Sequence, residues 1–426
     1  MALIRPFSGL RYGDKAGALD NLVAPPYDVL SQAERDELAA KSPYNVVHLT
    51  LPEQRDDDRS KFVKYARSAA HLAEWRREGI LLTEKAQAFY RYRQTFDLPG
   101  EGRLSRTALI GLIKVEPYEK GVVLPHEQTF PKHKEDRLRI LEATRAHLEC
   151  IFGLYEDHDG QTLAQIESAE GRRGAEITTS DGVSHQLDLI EDEAAATRLS
   201  QELASKKVWI ADGHHRYETA CAFRAQLGDR DGLIAEDFMM MALSSMSDPG
   251  LVLLPTHRIL GELSIPETRL DDVLQSYFNV RKVPNERLME TISSLRDPGT
   301  RAFGVALPSG MGLLATLDEP KDALDLMPQA GSERLRLLDV TILHSVILDR
   351  LLGITSLEEI SYTRDAKEAL ESVRKGAKAA FLMNPPTVDD MRQIALGGEK
   401  MPQKSTYYYP KILSGLVLWA LDEYRP

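Results

Sequence analysis

Along "AFYRYRQTF", residues 88–96, apolar and polar positions alternate, as one face of a half-buried strand requires. The apolar run "TALIGLIKV", residues 107–115, reads as a second strand. Before these, Ser31 and Glu34 form a capping-box pair that opens a short helix ending ahead of Pro43. A longer helix is predicted around residues 58–78, from Phe62, Tyr65, Ala69 and Leu72 at helical spacing. "RLRILEATRAHLECIF", residues 137–152, also reads as helix, and "IFGLYED" as the start of a strand.

The second half alternates more regularly. Strand 206–211, helix 215–226 and strand 237–244 make a β-α-β unit, for which a right-handed crossover is expected. "RAFGVALPSGMGLLATL" reads as a hairpin turning near Pro308 to Gly312, and "KAAFLMN" as a late strand. Thr387 is placed to cap the helix "VDDMRQIAL", which Gly397 and Gly398 would end. The mixture gives an α/β (mixed α+β) fold class. Charge-rich turns near 160–190 and 318–335 suggest three regions: 1–190, 191–320 and 321–426.

Composition narrows the function classes. A hydrophobic fraction of 42% in 426 residues is enough for two or three cores. The formal charge of −12 argues against nucleic acid and anionic membrane as partners. Cys150 and Cys221 are the only cysteines, so neither a disulfide scaffold nor a thiolate zinc site is indicated. The segment "MALIRPFSGLRYG" lacks the apolar stretch of a signal peptide, and no run reaches membrane-spanning length, so a cytoplasmic protein is expected.

Four polar clusters exceed what propensity explains. In Asp212-Gly213-His214-His215-Arg216 a strand turns into a helix within three residues. A helix start presents N–H groups and positive dipole to an anion, and glycine permits close approach. Arg216 can add a charge-assisted pair, and Asp212 can hold Mg²⁺ or accept a proton. The plainer reading makes Asp212 a helix cap beside solvated histidines.

In "VVLPHEQTFPKHKEDRLRIL", residues 122–141, His126 and Glu127 suit acid–base work and Lys132 or Lys134 suits phosphate oxygens. Glu135, Arg137 and Arg139 read instead as a charged helix face. The spacing is not His-Glu-x-x-His, which disfavours a zinc protease. In "MPQKSTYYYPK", residues 401–411, Lys404-Ser405-Thr406 superficially matches the end of a P-loop. The required Gly-x-x-x-x-Gly-Lys is absent, leaving Lys404, Ser405, Thr406 and Lys411 as anion binders. "APPYDVLS" contributes Asp28, and "LPTHRIL" contributes His257 and Arg258, as candidate substrate contacts.

Together "VAPPYDVLS", "PHEQTFPKHKEDRL", "IADGHHRYETA", "LPTHRIL" and "MPQKSTYYYPK" resemble the bacterial domain-of-unknown-function 1015 family, in the family's order, from about Pro6 to Gly415. Asp-Gly-His-His-Arg also resembles the box shared by ParB partition proteins, sulfiredoxin and free-serine kinases. That likeness implies a ParB/sulfiredoxin-like nucleotide-binding core elaborated by further α/β segments. It implies that Gly213, His214, His215 and Arg216 cradle nucleotide phosphates. Asp212 would match the acid beside the kinase's reacting hydroxyl. The chain is much longer than a minimal ParB-like domain, and no motif carries over the kinase's catalytic glutamate. Glu127 stands in by chemistry alone.

The resulting expectation is a phosphotransferase of the free-serine-kinase type, linked to serine and O-phosphoserine, using Mg²⁺ with ATP or ADP. A phosphoserine-type phosphatase and a non-catalytic, nucleotide-controlled binding protein stay open as alternatives, and so does a homodimer.

Overall fold

The alternation in 88–96 becomes the ten-residue strand Phe89–Leu98, and the apolar run becomes Gly102–Lys114, paired antiparallel with it. The structure, a computed structural model, describes residues 2–127, 129, 131–228, 230–296, 299–356 and 360–425, without the side chains of 131–133. Helices and strands are mixed throughout, in two compact units. One consists of Met1–Pro125, Thr129–Val252 and Pro410–Pro426; the other of His126–Gln128 and Leu253–Tyr409.

The first unit is built on a nine-stranded mixed sheet. From one edge its strands run Val123–Leu124, Val208–Asp212, Ile151–Tyr155, Phe238–Ser245, Gly102–Lys114, Phe89–Leu98, Ser184–Ile190 and Arg172–Thr178, with Ile4–Arg5 on Gly102–Lys114. Its core gathers Leu109, Ile151, Ile210 and Met241 from the strands with Leu199 and Tyr217 from two helices. Full burial of such side chains is worth roughly 1.5–3 kcal/mol each, which fixes the helix His214–Gln226 against the sheet. Tyr217 also locks this helix by hydroxyl bonds to the Glu116 carbonyl at 2.8 Å and amide at 3.0 Å.

The β-α-β reading needs correction. Strand, helix and strand form at 208–212, 214–226 and 238–245, but Ile151–Tyr155 lies between the two strands. It is antiparallel to the first and parallel to the second, so those two run in opposite directions. The handedness rule concerns parallel strands and does not apply. A second difference lies at 137–152. The helix occupies Pro131–Thr144, stops where Arg145 takes φ 53°, and gives way to the short strand Ala146–His147. The long early helix begins at Val63 rather than near 58, because Ser60 Oγ takes the Phe62 N–H in a preceding turn. Residues 160–190, read as turns, carry the helix Gln161–Ser168 and the hairpin of Arg172–Thr178 with Ser184–Ile190.

The second unit holds a six-stranded antiparallel sheet in the order Asn279–Pro284, Met311–Leu317, Arg301–Ala306, Ala379–Met383, His257–Leu260, Ile360–Thr363. The capping boxes at Ser31 and Thr387 both form, the latter opening Val388–Leu396. Among the described residues, no helix is long and apolar enough to cross a membrane.

Candidate functional site

Val208–Asp212 carries its apolar residues into the core and ends on Asp212 at the sheet margin. Gly213 then takes φ 93°, ψ 27°, and the helix begins at once. This left-handed geometry favours glycine. A Cβ would also come within 3.1 Å of Arg216 Nη2 and 3.2 Å of its Cζ and Nε. The missing side chain therefore gives the Arg216 guanidinium room to fold back over the turn. The helix has no side-chain cap, since Gly213 is its N-cap. Asp212 does not cap it either: its carboxylate takes the Lys411 ammonium at 2.6 Å.

Lys411 is delivered by the core of the sheet. Gln94 and Arg106 face each other across paired strands, and both are buried. Gln94 donates to the Lys411 carbonyl at 2.8 Å, and Arg106 donates to the Pro410 carbonyl while stacking over Phe152. Just beyond, Ser414 and Ala24 exchange backbone hydrogen bonds of 2.8 and 3.1 Å. That bridge brings the "APPYD" segment alongside the C-terminal one.

Arg216 donates to the Cys150 carbonyl at 2.7 Å and lies over the Tyr27 ring at 5.8 Å. Arg137 also lies over this ring, 3.9 Å from its centroid. Glu149, only 7% exposed, ties the set together. It accepts the Tyr27 N–H at 3.0 Å and the Ser414 hydroxyl at 3.1 Å, with Arg137 Nη1 at 4.0 Å. Burial opposes the Arg216 charge, but Glu149, Asp28 and Asp212 outweigh it and hold the guanidinium firmly protonated. Burial likewise opposes ionisation of Asp212. Lys411, Arg216 and His214 overcome it and keep the carboxyl well below the usual range.

A cavity of about 50 Å³ lies against Arg137, Glu149, Arg216 and Thr219. A water's share of liquid is about 30 Å³, so this space suits one or two waters rather than a nucleotide. On the same helix Glu218 takes Lys134 Nζ at 2.5 Å and the Thr129 hydroxyl at 2.7 Å, docking the start of Pro131–Thr144.

The first unit thus assembles Asp28, Asp212, Gly213, His214, His215, Arg216 and Lys411. The second unit holds His126, Glu127, His257, Arg258, Lys404, Ser405 and Thr406. His126 Nε2 lies 2.9 Å from Thr406 Oγ1, and the His126 carbonyl accepts the Met401 N–H at 2.7 Å. Glu127 accepts the Lys404 N–H at 3.4 Å, and Ser405 donates to the Pro402 carbonyl. Arg258 donates to the Lys404 carbonyl at 3.2 Å and to His344 at 3.1 Å. His257 Nδ1 accepts the Met383 N–H at 3.4 Å. Both His257 and Arg258 are 1% exposed, so in this unit they hold main chain. The Lys132 side chain lies outside the described residues.

Two contributors escape the sequence reading. Glu149 sits in an apolar run, where a lone carboxylate signals that a cation must be waiting. Arg137, whose sequence context reads as a charged helix face, is buried and donates to the Thr50 carbonyl at 2.7 Å. Asp212 does not fit as a Mg²⁺ ligand in this arrangement. One of its oxygens is held by Lys411, and Arg216 adds a second positive charge. Among the described residues no group of three or more His, Cys, Asp or Glu could hold a metal ion.

No curated protein matches the chain. Among solved structures, it is similar to a mutant free serine kinase in complex with ADP, at 14% identity and TM-score 0.35, over 70% of this chain and 86% of that one. A conserved hypothetical protein from Pyrococcus furiosus gives 14% identity and TM-score 0.36, over 74% and 97%. SbnI with a C-terminal truncation, from Staphylococcus aureus, gives 10% identity and TM-score 0.35, over 72% and 85%. Likeness at this level transfers no residue roles. The model of the family described as "Protein of unknown function (DUF1015)" matches residues 4–341, and the chain belongs to that family.

Proposed function

We propose that the Asp212–Arg216 corner binds a phosphoryl group, and that the chain is a nucleotide-dependent phosphotransferase acting on a small hydroxylated metabolite. Its most concrete form is a free-serine-kinase-like enzyme making O-phosphoserine. One observation carries this reading: Lys411 and Arg216, from distant parts of the chain, meet Asp212 at a glycine-led helix start. Stabilising charge on the transferring group is the main task in such reactions, and two cations beside a helix N-terminus supply it.

The Asp212–Lys411 pair gives the reading a mechanism. With Lys411 bound, Asp212 is too weak a base to take a hydroxyl proton near neutral pH. An arriving phosphate competes for the Lys411 ammonium. As Lys411 turns towards it, Asp212 regains basicity and can accept the proton of the attacking hydroxyl. The hydroxyl oxygen then bonds to the terminal phosphorus, whose bond to the bridging oxygen breaks. ATP would leave as ADP, or ADP as AMP. Mg²⁺ would travel on the nucleotide phosphates, and no residue is assigned to it. His126 and Glu127 remain the further acid–base candidates, to be tested by His126→Gln and Glu127→Gln.

The suppressed basicity of Asp212 equally favours a second reading, a nucleotide-controlled binding protein without turnover. One assay separates these: Mg²⁺, serine and ATP or ADP, with phosphoserine and free phosphate measured. Phosphoserine that requires nucleotide supports the transferase. Phosphate released from phosphoserine alone makes it a phosphatase. Nucleotide bound without product makes it a binding protein, and no binding of any phosphate compound removes the proposal.

A further inference from the structure

A concavity of about 730 Å³ in the second unit is not used by the reading above. Sites for small ligands commonly have volumes of about 300–1,000 Å³ and combine apolar walls with a few convergent polar groups. Here Leu337, Val340, Met383 and Pro385 supply apolar wall, where the strand Ala379–Met383 runs out.

The charges around it pair off unevenly. Glu333 is matched by Lys321 at 2.9 Å, and Arg334 by Asp389 at 2.9 Å. Arg301 lies 3.1 Å from Asp339. Two groups of opposite sign are left less fully matched. Arg296 has no ion pair among the described residues, and its guanidinium donates to the Pro385 carbonyl at 3.5 Å. Asp390 completes the capping box with Thr387 and has Arg334 no nearer than 3.8 Å.

Asp339 feels Arg301, Asp390 and Arg296. Burial pushes its carboxyl up to about 6, opposed by Arg301, with Asp390 adding to the rise and Arg296 opposing it. The wall therefore carries two carboxylates, Asp339 and Asp390, with the Arg296 guanidinium lining the same cavity. A cation between the carboxylates relieves their repulsion, and an anion satisfies the guanidinium. An ammonium, a cation that also donates hydrogen bonds, suits carboxylates placed in this way.

We propose that this cavity is a ligand site for a free α-amino acid with an apolar side chain. Its carboxylate would bind Arg296, its ammonium would lie between Asp339 and Asp390, and its side chain would rest against Leu337, Val340 and Met383. Its lining residues all belong to the second unit.

Calorimetric titration of the full chain with L-leucine, L-methionine and L-phenylalanine tests this. At least one should bind, while its N-acetyl derivative, lacking the ammonium, and its decarboxylated amine should each bind at least tenfold more weakly. Arg296→Gln alters an exposed side chain without an ion pair, so the fold should be kept. It should weaken binding by tenfold or more, as expected for loss of a charge-assisted contact. Asp339→Asn should weaken it further. Absence of binding at millimolar concentration overturns the proposal. So does binding that ignores N-acetylation and Arg296→Gln alike.

Discussion

Lys411 Nζ lies 2.6 Å from Asp212 Oδ2 across 199 positions of sequence, with side chains only 13% and 16% exposed. At that burial the pair cannot be treated as a surface ion pair. Removing one partner strands the other, at about 3–5 kcal/mol, whereas removing both is far less damaging. Asp212→Asn and Lys411→Met should therefore each lower stability markedly. The double variant should lose clearly less than the two losses added, which urea unfolding of all four proteins measures. Additive losses would show the pair to be uncoupled. The sign of the pH effect is also fixed. Asp212 is held below its unfolded value, so its contribution is complete above about pH 4 and falls away under acid. Lys411→Met should flatten that acid limb.

Gly213→Ala tests the turn. The φ of 93° disfavours any L side chain by about 1–2 kcal/mol, and the added Cβ meets the Arg216 guanidinium at 3.1–3.2 Å. The substitution should lower stability by about that amount. It should also weaken inorganic phosphate or nucleotide binding, because Arg216 must shift. Calorimetry with phosphate and ADP reads the second effect. Unchanged affinity would mean that the folded-back guanidinium is not part of the anion site.

Much of the architecture is legible in the sequence because local signals and tertiary structure agree. Ser31 and Glu34 form their capping box, Thr387 caps its helix, and the alternation at 88–96 becomes a strand. The corner at 212–216 is equally legible, since acid, glycine and arginine at a strand-to-helix junction have few structural uses. What escapes depends on distant partners. Nothing local to Glu149 names Tyr27, Ser414 and Arg137, and nothing around Gln94 or Arg106 shows that they hold the peptide carrying Lys411. The direction of Val208–Asp212 relative to Phe238–Ser245 escapes for the same reason. It is set by a third strand, Ile151–Tyr155, inserted between them.

Glu149 should separate charge from hydrogen bonding. Glu149→Gln keeps an oxygen for the Tyr27 N–H and the Ser414 hydroxyl but removes the negative charge facing Arg137 and Arg216. Stability should fall by about 1–3 kcal/mol, and Glu149→Ala should cost more because buried donors lose their acceptor. With the opposing charge gone, Arg216 becomes a stronger attractor, so Glu149→Gln should hold inorganic phosphate more tightly than wild type. A weaker phosphate complex would show that Glu149 orients Arg216 more than it neutralises it.

His147 supplies the clearest pH test. It is buried against Trp419, with ring centroids 5.5 Å apart and nearly parallel, in a short antiparallel pairing with that residue. Burial holds its imidazole down at about 4, outweighing the opposing backbone contact to Phe238. In the unfolded chain a histidine titrates near 6.5. The unfolded state therefore binds the proton first. The neutral ring's contribution is complete above about 6.5 and is lost progressively as pH falls towards 4. His185, buried beside Tyr92 and also held at about 4, acts in the same direction. Denaturant midpoints measured from pH 7.5 to 4.5 should fall through this window, before most carboxylates titrate. His147→Gln should remove part of the fall, because glutamine has no proton to gain. If wild type and His147→Gln decline in parallel, the Trp419 stack does not set the acid sensitivity of this unit.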